Sequence, residues 1–233
     1  MAIIEFRNVS KKYLMGEVTI NALHDASFTI NKGELVCILG PSGAGKTTCL
    51  NILGGMDSPT FGDVIVDGVN ISILKGKNII KYRRKDIGFV FQFYNLVSNL
   101  TAIENVELAV QLTKDHLEPK EALKLVGLEN RLNNFPSQLS GGEQQRVAVA
   151  RAIAKHPKVL LCDEPTGALD YKTGKQILAL LQDCARKNNM TVVIVTHNSE
   201  IKDMADKVIH FKNGTVTKIE INKNPTPIEM IEW

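Results

Sequence analysis

Gly40-Pro41-Ser42-Gly43-Ala44-Gly45-Lys46-Thr47 follows the pattern G-x-x-x-x-G-K-S/T, and its residue types point to phosphate chemistry. Glycines permit a tight loop whose backbone N–H groups face an anion, and a helix opening at the loop's end directs its positive dipole end to the same place. Lys46 is then expected to reach the β- and γ-phosphates of a nucleotide, and the Thr47 hydroxyl to ligate Mg2+. Gly40, Ser42, Gly43, Ala44, Gly45, Lys46, Thr47 and Thr48 form the expected nucleotide-contacting set. The pattern follows an apolar run at 35–39 and precedes helical spacing, which is the context it requires. Alone it says only nucleotide binding, because kinases and GTPases share it.

Val159-Leu160-Leu161-Cys162-Asp163-Glu164 is an apolar run ending in two acids, which puts Asp163 at the C-terminal edge of a strand, where α/β folds hold ligands. Asp163 can hold Mg2+ through water. Neighbouring strand residues point to opposite faces, so Glu164 cannot share that role, but a turn starting at Pro165 could swing it toward a γ-phosphate to polarise an attacking water. Read alone, the two acids could instead cap the next helix. Leu139-Ser140-Gly141-Gly142-Glu143-Gln144-Gln145 precedes helical spacing over 146–155, so Ser140 can cap that helix while the glycines admit a phosphate to its N-terminus. A single chain seldom needs two anion sites for one phosphate, which points to a composite site shared by two copies.

These residues need strands that end in loops and helices that begin in them. Apolar runs of strand length recur at 26–30, 35–39, 64–66, 87–91, 159–162, 192–195 and 208–211. Helical spacing lies between several of them, notably at 47–53, 102–112, 142–155 and 173–187. The alternation predicts an α/β fold with a largely parallel sheet. Alternating patterns at 3–9, 26–30, 63–66 and 69–71 predict a small antiparallel layer beside it. Residues 101–135 read as a helical insert, Asn213-Gly214 as the turn of a hairpin, and the last ten residues, with Pro225 and Pro227, as a tail. The expected organisation is one domain over 1–233: a core of 1–95 and 157–220, a helical part over about 96–156, and a tail at 221–233.

The 233 residues are 44% hydrophobic and 23% charged, an ordinary balance for a chain that buries a core. Lys and Arg number 28 against 25 Asp and Glu, interspersed, so no dominant basic field arises and nucleic acid is not an expected partner. Cys37, Cys49, Cys162 and Cys184 lie far apart with no nearby histidines, which fits reduced thiols in a cytosolic protein better than a zinc site or disulfide framework. The N-terminus alternates, and no apolar segment approaches about 18 residues, so the chain is expected to be soluble and unexported.

The segment Leu139 to Gln145, just ahead of the acid-ending run, resembles the signature motif of ABC ATPases, and the resemblance covers nearly the whole chain. It implies a P-loop NTPase (RecA-like) core with a mostly parallel sheet, a small antiparallel β subdomain, a helical signature subdomain, and hydrolysis of ATP with Mg2+. Gln92 is similar to the Q-loop glutamine that senses Mg2+ and the γ-phosphate and couples to a membrane partner. Tyr13 is similar to the aromatic that stacks on adenine. Ala168-Leu169-Asp170 resembles the D-loop that crosses the dimer interface, and His197 after Val195-Thr196 resembles the switch histidine at the γ-phosphate. The resemblance thus implies catalytic roles for Glu164, His197, Lys46 and Gln92, and metal-holding roles for Thr47, Gln92 and Asp163. It adds Tyr13, Ser140, Gly141, Gly142 and Asp170 to the nucleotide contacts, and leaves His24, His116, His156 and His210 as structural or surface residues.

The stretches 91–96, 100–106 and 163–170 resemble a bacterial branch that drives lipoprotein release, macrolide or peptide export and antimicrobial-peptide resistance through permeases that transmit mechanical motion. The implied protein is a transporter's nucleotide-binding subunit, homodimeric through composite ATP sites and held by an integral membrane permease at the cytoplasmic face of the membrane. Residues 93–100 would offer that permease apolar contacts, the alternative being that Phe93, Tyr94 and Leu96 pack in the core. Two other readings remain, a soluble ABC ATPase of DNA repair or translation and a phosphotransferase outside the family. The first interrupts the cassette with heptad coiled coils or joins two cassettes, and the second has no need of residues 139–144.

Overall fold

A computed structural model describes residues 1–111, 113 and 115–232. Two long strands, β1 (Ala2–Met15) and β2 (Val18–Asn31), pair antiparallel, and β3 (Leu35–Leu39) leads directly into α1 (Lys46–Leu53). β4 (Phe61–Val66), β5 (Val69–Asn70), α2 (Lys77–Lys85) and β6 (Ile87–Val90) follow. Then come α3 (Ala102–Val110), α4 (Pro119–Leu125), α5 (Gly141–Ile153) and β7 (Val159–Asp163). The chain ends with α6 (Tyr171–Asn188), β8 (Thr191–Thr196), β9 (Lys207–Lys212) and β10 (Thr215–Ile221).

The strands form two sheets. One, ordered β2-β1-β4-β5, is the expected antiparallel layer, and the other, β10-β9-β3-β8-β7-β6, is parallel from β9 to β6 with β10 added antiparallel at its edge. The fold is therefore the anticipated α/β arrangement of a mostly parallel sheet with an antiparallel β layer and helices. Strands β3 and β8 are buried at every residue, because both faces of a parallel sheet are covered, and this is why they read as unbroken apolar runs. Alternate residues of β3 serve opposite cores. Leu35, Cys37 and Leu39 pack with α5 and α6, while Val36 and Ile38 pack with α1 and the antiparallel layer. All four cysteines are free and buried, and burial pushes the Cys37 thiol up to about 12.

Helix ends match their chemistry. Thr101 caps α3 and Ser140 caps α5, each in a reciprocal box with a glutamate three residues on, Glu104 and Glu143. At the β9–β10 turn both Asn213 and Gly214 take positive φ, as a two-residue hairpin requires. Helix α3 stops at Val110; Leu112, at the end of the expected 102–112 helix, lies outside the described residues, as does Trp233. Helix α2 has no counterpart in the sequence reading. Its segment is mostly basic, and it buries only Tyr82, whose hydroxyl donates to the Leu53 carbonyl at 2.6 Å.

The C-terminal segment expected as a tail instead docks on α6. Ile228 is fully buried, Gln182 holds the Thr226 carbonyl and the Ile228 N–H, and Lys175 donates to the Ile231 carbonyl at 2.9 Å. Its two apolar anchors, Ile228 and Ile231, follow a stretch of polar residues and prolines and are too few to show a period, which conceals the docking from a periodicity argument.

Candidate functional site

Strands β3, β8 and β7 are neighbours and parallel, so the loops after their C-terminal ends converge. Those loops carry the glycine-rich segment, Thr196-His197 and Asp163-Glu164 respectively. A cavity of about 760 Å3 lies there. Ser42 to Thr48 form one wall, Gln92, Asp163, Glu164 and His197 another, and Ile20 to Ala22 of β2 the side. Gly45 sits at the N-cap of α1 with φ +96°, and a side chain there would strike the Ala22 carbonyl of β2, so only glycine lets the loop turn this tightly.

Lys46 is buried, and its ammonium donates to the carbonyls of Gly40 at 2.7 Å and Pro41 at 3.0 Å, closing the loop upon itself. Burial pulls its pKa below the usual lysine range, while the charges of Glu164 and Asp163 oppose the shift. An ammonium held by neutral carbonyls can exchange them for phosphate oxygens, which form stronger charge-assisted bonds.

The Thr47 hydroxyl donates to Asp163 Oδ1 at 3.3 Å. Burial pushes the Asp163 carboxyl up, the Thr47 hydrogen bond opposes that, and the adjacent Glu164 charge adds to it. Thr47, Asp163 and Gln92 line the cavity and each carries a side-chain oxygen, which suits a hard cation such as Mg2+. Among the described residues no cluster of three or more His, Cys, Asp or Glu could hold a metal by itself. A Mg2+ ion completed by water and phosphate oxygens needs no such cage.

Glu164 reaches the cavity by a different turn from the one expected. The reversal occurs at Glu164 itself, with φ +45°, and not at Pro165. A left-handed conformation at a residue other than glycine costs on the order of 1–3 kcal/mol and persists only where neighbours enforce it. Here the Glu164 N–H donates to the Val195 carbonyl at 2.9 Å and its own carbonyl accepts from Gly167 at 3.1 Å. Its carboxylate accepts from the Thr196 hydroxyl at Oε2, 2.9 Å, and meets His197 Nδ1 at Oε1, 2.8 Å.

Of the remaining sequence candidates, Gly40 lies beneath the loop against the Phe211 carbonyl and does not line the cavity. Tyr13 pairs with Ile20 across the β1–β2 ladder, beside the cavity wall, and its hydroxyl donates to Asp57 at 2.7 Å while Lys11 stands 4.9 Å from its ring centroid. Asp170 caps α6 by accepting from the Thr173 N–H at 3.1 Å, and borders a second cavity of about 290 Å3 that also touches Glu164 and His197. Ser140, Gly141 and Gly142 do not line the nucleotide-sized cavity. Ser140 is exposed at the head of α5, and a Cβ on Gly141 would come 2.8 Å from the Tyr94 hydroxyl. The Ser140 N–H, followed by its hydroxyl and Arg131, holds the Glu143 carboxylate below its usual range.

The sequence reading missed Thr196 and Gln145 as members of this site. Both lie inside quoted segments, but a threonine ending a strand and a glutamine inside a helix announce nothing until their partners, 32 and 20 residues away, are known. Phe93 is exposed whereas Leu96 packs against the core, so the two alternatives for that stretch divide between its residues.

Residues 23–167 match the family profile described as ABC transporter, and the chain belongs to the ATP-binding cassettes of that family. It is 46% identical over 226 residues to an uncharacterized ABC transporter ATP-binding protein, MJ0796, of Methanocaldococcus jannaschii, covering 93% of this chain and 96% of that one. It is 42% identical over 221 residues to the lipoprotein-releasing system ATP-binding protein LolD of Syntrophotalea carbinolica, covering 93% and 97%. Its structure superposes on a dimeric post-hydrolysis state of the MJ0796 cassette bound to ADP and Pi with a TM-score of 0.87, at 43% identity over 94% of this chain and 98% of that one. The chain is an ATP-binding ATPase of the ABC family.

Proposed function

We propose that this chain is the nucleotide-binding subunit of an ABC transporter of the bacterial lipoprotein-release and macrolide- or peptide-export branch, and that two copies close head to tail around two ATP·Mg2+. One observation carries the pairing. The loop that can cradle phosphates lines a cavity, while the helix N-terminus at Ser140 to Gly142 opens outside it in the same chain. In a head-to-tail pair each Ser140 end would face the other copy's cradle and add its N–H groups and dipole to the triphosphate. The dimeric state of the MJ0796 cassette supports this arrangement.

Phosphoryl transfer depends mainly on positioning and charge stabilisation. Lys46 would release the Gly40 and Pro41 carbonyls and take β- and γ-phosphate oxygens. Thr47, Asp163 and Gln92 would hold Mg2+, which when bound neutralises charge on the phosphates. Glu164 would orient the attacking water, His197 would contact the γ-phosphate, and Tyr13 would stack on adenine from its place opposite Ile20. Asp170 would reach across the pair.

The permease assignment is supported by a second surface. Stacked Phe89 and Phe91, with centroids 4.2 Å apart, border a cavity of about 330 Å3 beside the Gln92 loop, walled also by Arg83, Arg151 and Lys155. Exposed Phe93 lies on the same loop. No helix among the described residues is long and apolar enough to cross a membrane, so the membrane link would come through a partner at the cytoplasmic face.

The functional test is steady-state hydrolysis by Glu164→Gln. ATP affinity is expected to stay within about threefold while turnover falls more than about 100-fold. Parental turnover would remove Glu164 from the mechanism. Copurification with an integral membrane protein is expected in cells, whereas stimulation of the ATPase by nucleic acid would favour the soluble reading.

A further inference from the structure

The geometry points to Thr196 and Gln145 as a two-point clamp that positions Glu164, one holding its carboxylate and the other the backbone turn that aims it. The inference rests on the assignment of Glu164 as the water-orienting acid.

Thr196 ends β8 and is 2% exposed. Its oxygen accepts the Asn198 N–H at 3.1 Å and donates its own proton to Glu164 Oε2 at 2.9 Å, so the hydroxyl is oriented from both sides. The other carboxylate oxygen meets His197, whose side chain is 69% exposed and free to swing toward a nucleotide. Thr196 has no such freedom. When His197 leaves, the buried hydroxyl still fixes the rotation of the carboxylate and keeps Oε1 turned to the cavity.

The second point lies in the signature helix α5. Gln145 is fully buried, and its Nε2 donates to the Pro165 carbonyl at 3.0 Å. Its Oε1 is buried with no hydrogen-bond partner among the described residues. The amide thus leaves one of its own atoms unpaired while giving the buried Pro165 carbonyl its donor, so its place here is explained by that one hold on the turn. What the amide supplies is a hold on the carbonyl next to the left-handed Glu164, transmitted from the helix whose N-terminus is Ser140. The sequence thereby connects the acid of one site to the segment proposed to serve the opposite site.

The test is ATP hydrolysis by the purified chain, steady-state and single-turnover, for Thr196→Val, Thr196→Ser and Gln145→Met, with Thr196→Val repeated in a Glu164→Gln background. Thr196→Val is expected to lower kcat about 10–100-fold with KM for ATP within about twofold, and Thr196→Ser to stay within about threefold of the parent. In the Glu164→Gln background the valine should cost less than about twofold more, because a residue acting through Glu164 has nothing left to position. Gln145→Met, which exchanges the unpaired Oε1 for an unpaired Pro165 carbonyl, should lower kcat about 5–10-fold, measured well below its Tm so that the loss is not one of folded protein. Parental turnover in Thr196→Val, or the same loss with and without the Glu164 carboxylate, would overturn the clamp, as would a parental rate in Gln145→Met. If Glu164→Gln alone turns over at the parental rate, it is the Glu164 assignment that fails, before the clamp is in question.

Discussion

The segments at 40–47 and 139–145 both carry glycines and both open a helix, yet among the described residues only the first lines the cavity of about 760 Å3. The difference begins with the elements behind them. The first hangs from β3, in the interior of the parallel sheet, so the acids of β7 and the histidine after β8 come to it automatically. The second is preceded by a 3-10 turn (Pro136–Gln138) and begins α5 at an exposed serine. One segment is gathered with its neighbours in a single chain, while the other, on the proposed pairing, would be completed by a second copy.

The comparison breaks most visibly at Lys46. Lys46→Ala removes charge-assisted bonds worth about 1.5–3 kcal/mol each, so ATP affinity should fall about 100-fold or more, measured by calorimetry on the single chain. Retained affinity would mean that the cavity at 40–47 is not where nucleotide binds.

Ser140→Arg should act on the opposite half. Nucleotide affinity of the monomer is expected to stay within about twofold, while turnover falls about 30-fold or more because a bulky side chain blocks the approach to α5. A variant that loses ATP affinity and turnover equally would place Ser140 in its own chain's site and dissolve the distinction.

The smallest effect sharpens the same contrast. Thr101 and Ser140 make identical capping boxes with Glu104 and Glu143, but only the second is proposed to meet phosphate. Thr101→Ala should cost about 1 kcal/mol and lower Tm by about 2–4 °C with hydrolysis unchanged, whereas the Ser140 variant should lose turnover well beyond its stability cost. A thermal melt beside the ATPase assay separates the two.

Much of this arrangement is legible in sequence because it is local. The phosphate loop, the paired acids and the Ser140 cap are short patterns that can be read within a few residues. The buried strands were equally plain, since a parallel sheet covered on both faces demands unbroken apolar runs. What escaped depends on distant partners. The left-handed turn at Glu164 is enforced by β8, and Gln145 has a reason only once Pro165 is beside it. Docking of the C-terminal segment rests on Gln182 and Lys175 of α6. Helix α2 went unseen because its single buried anchor, Tyr82, gives no periodicity to detect.

The central claim is that two copies share their sites, and the mass of Glu164→Gln in solution with and without ATP·Mg2+ tests it most directly. Slow turnover should trap the closed state, so ATP·Mg2+ is predicted to convert monomer to dimer, and adding Ser140→Arg should abolish the shift. A protein that binds ATP with the expected affinity and remains monomeric at every concentration tested, or a dimer indifferent to Ser140, would contradict the account.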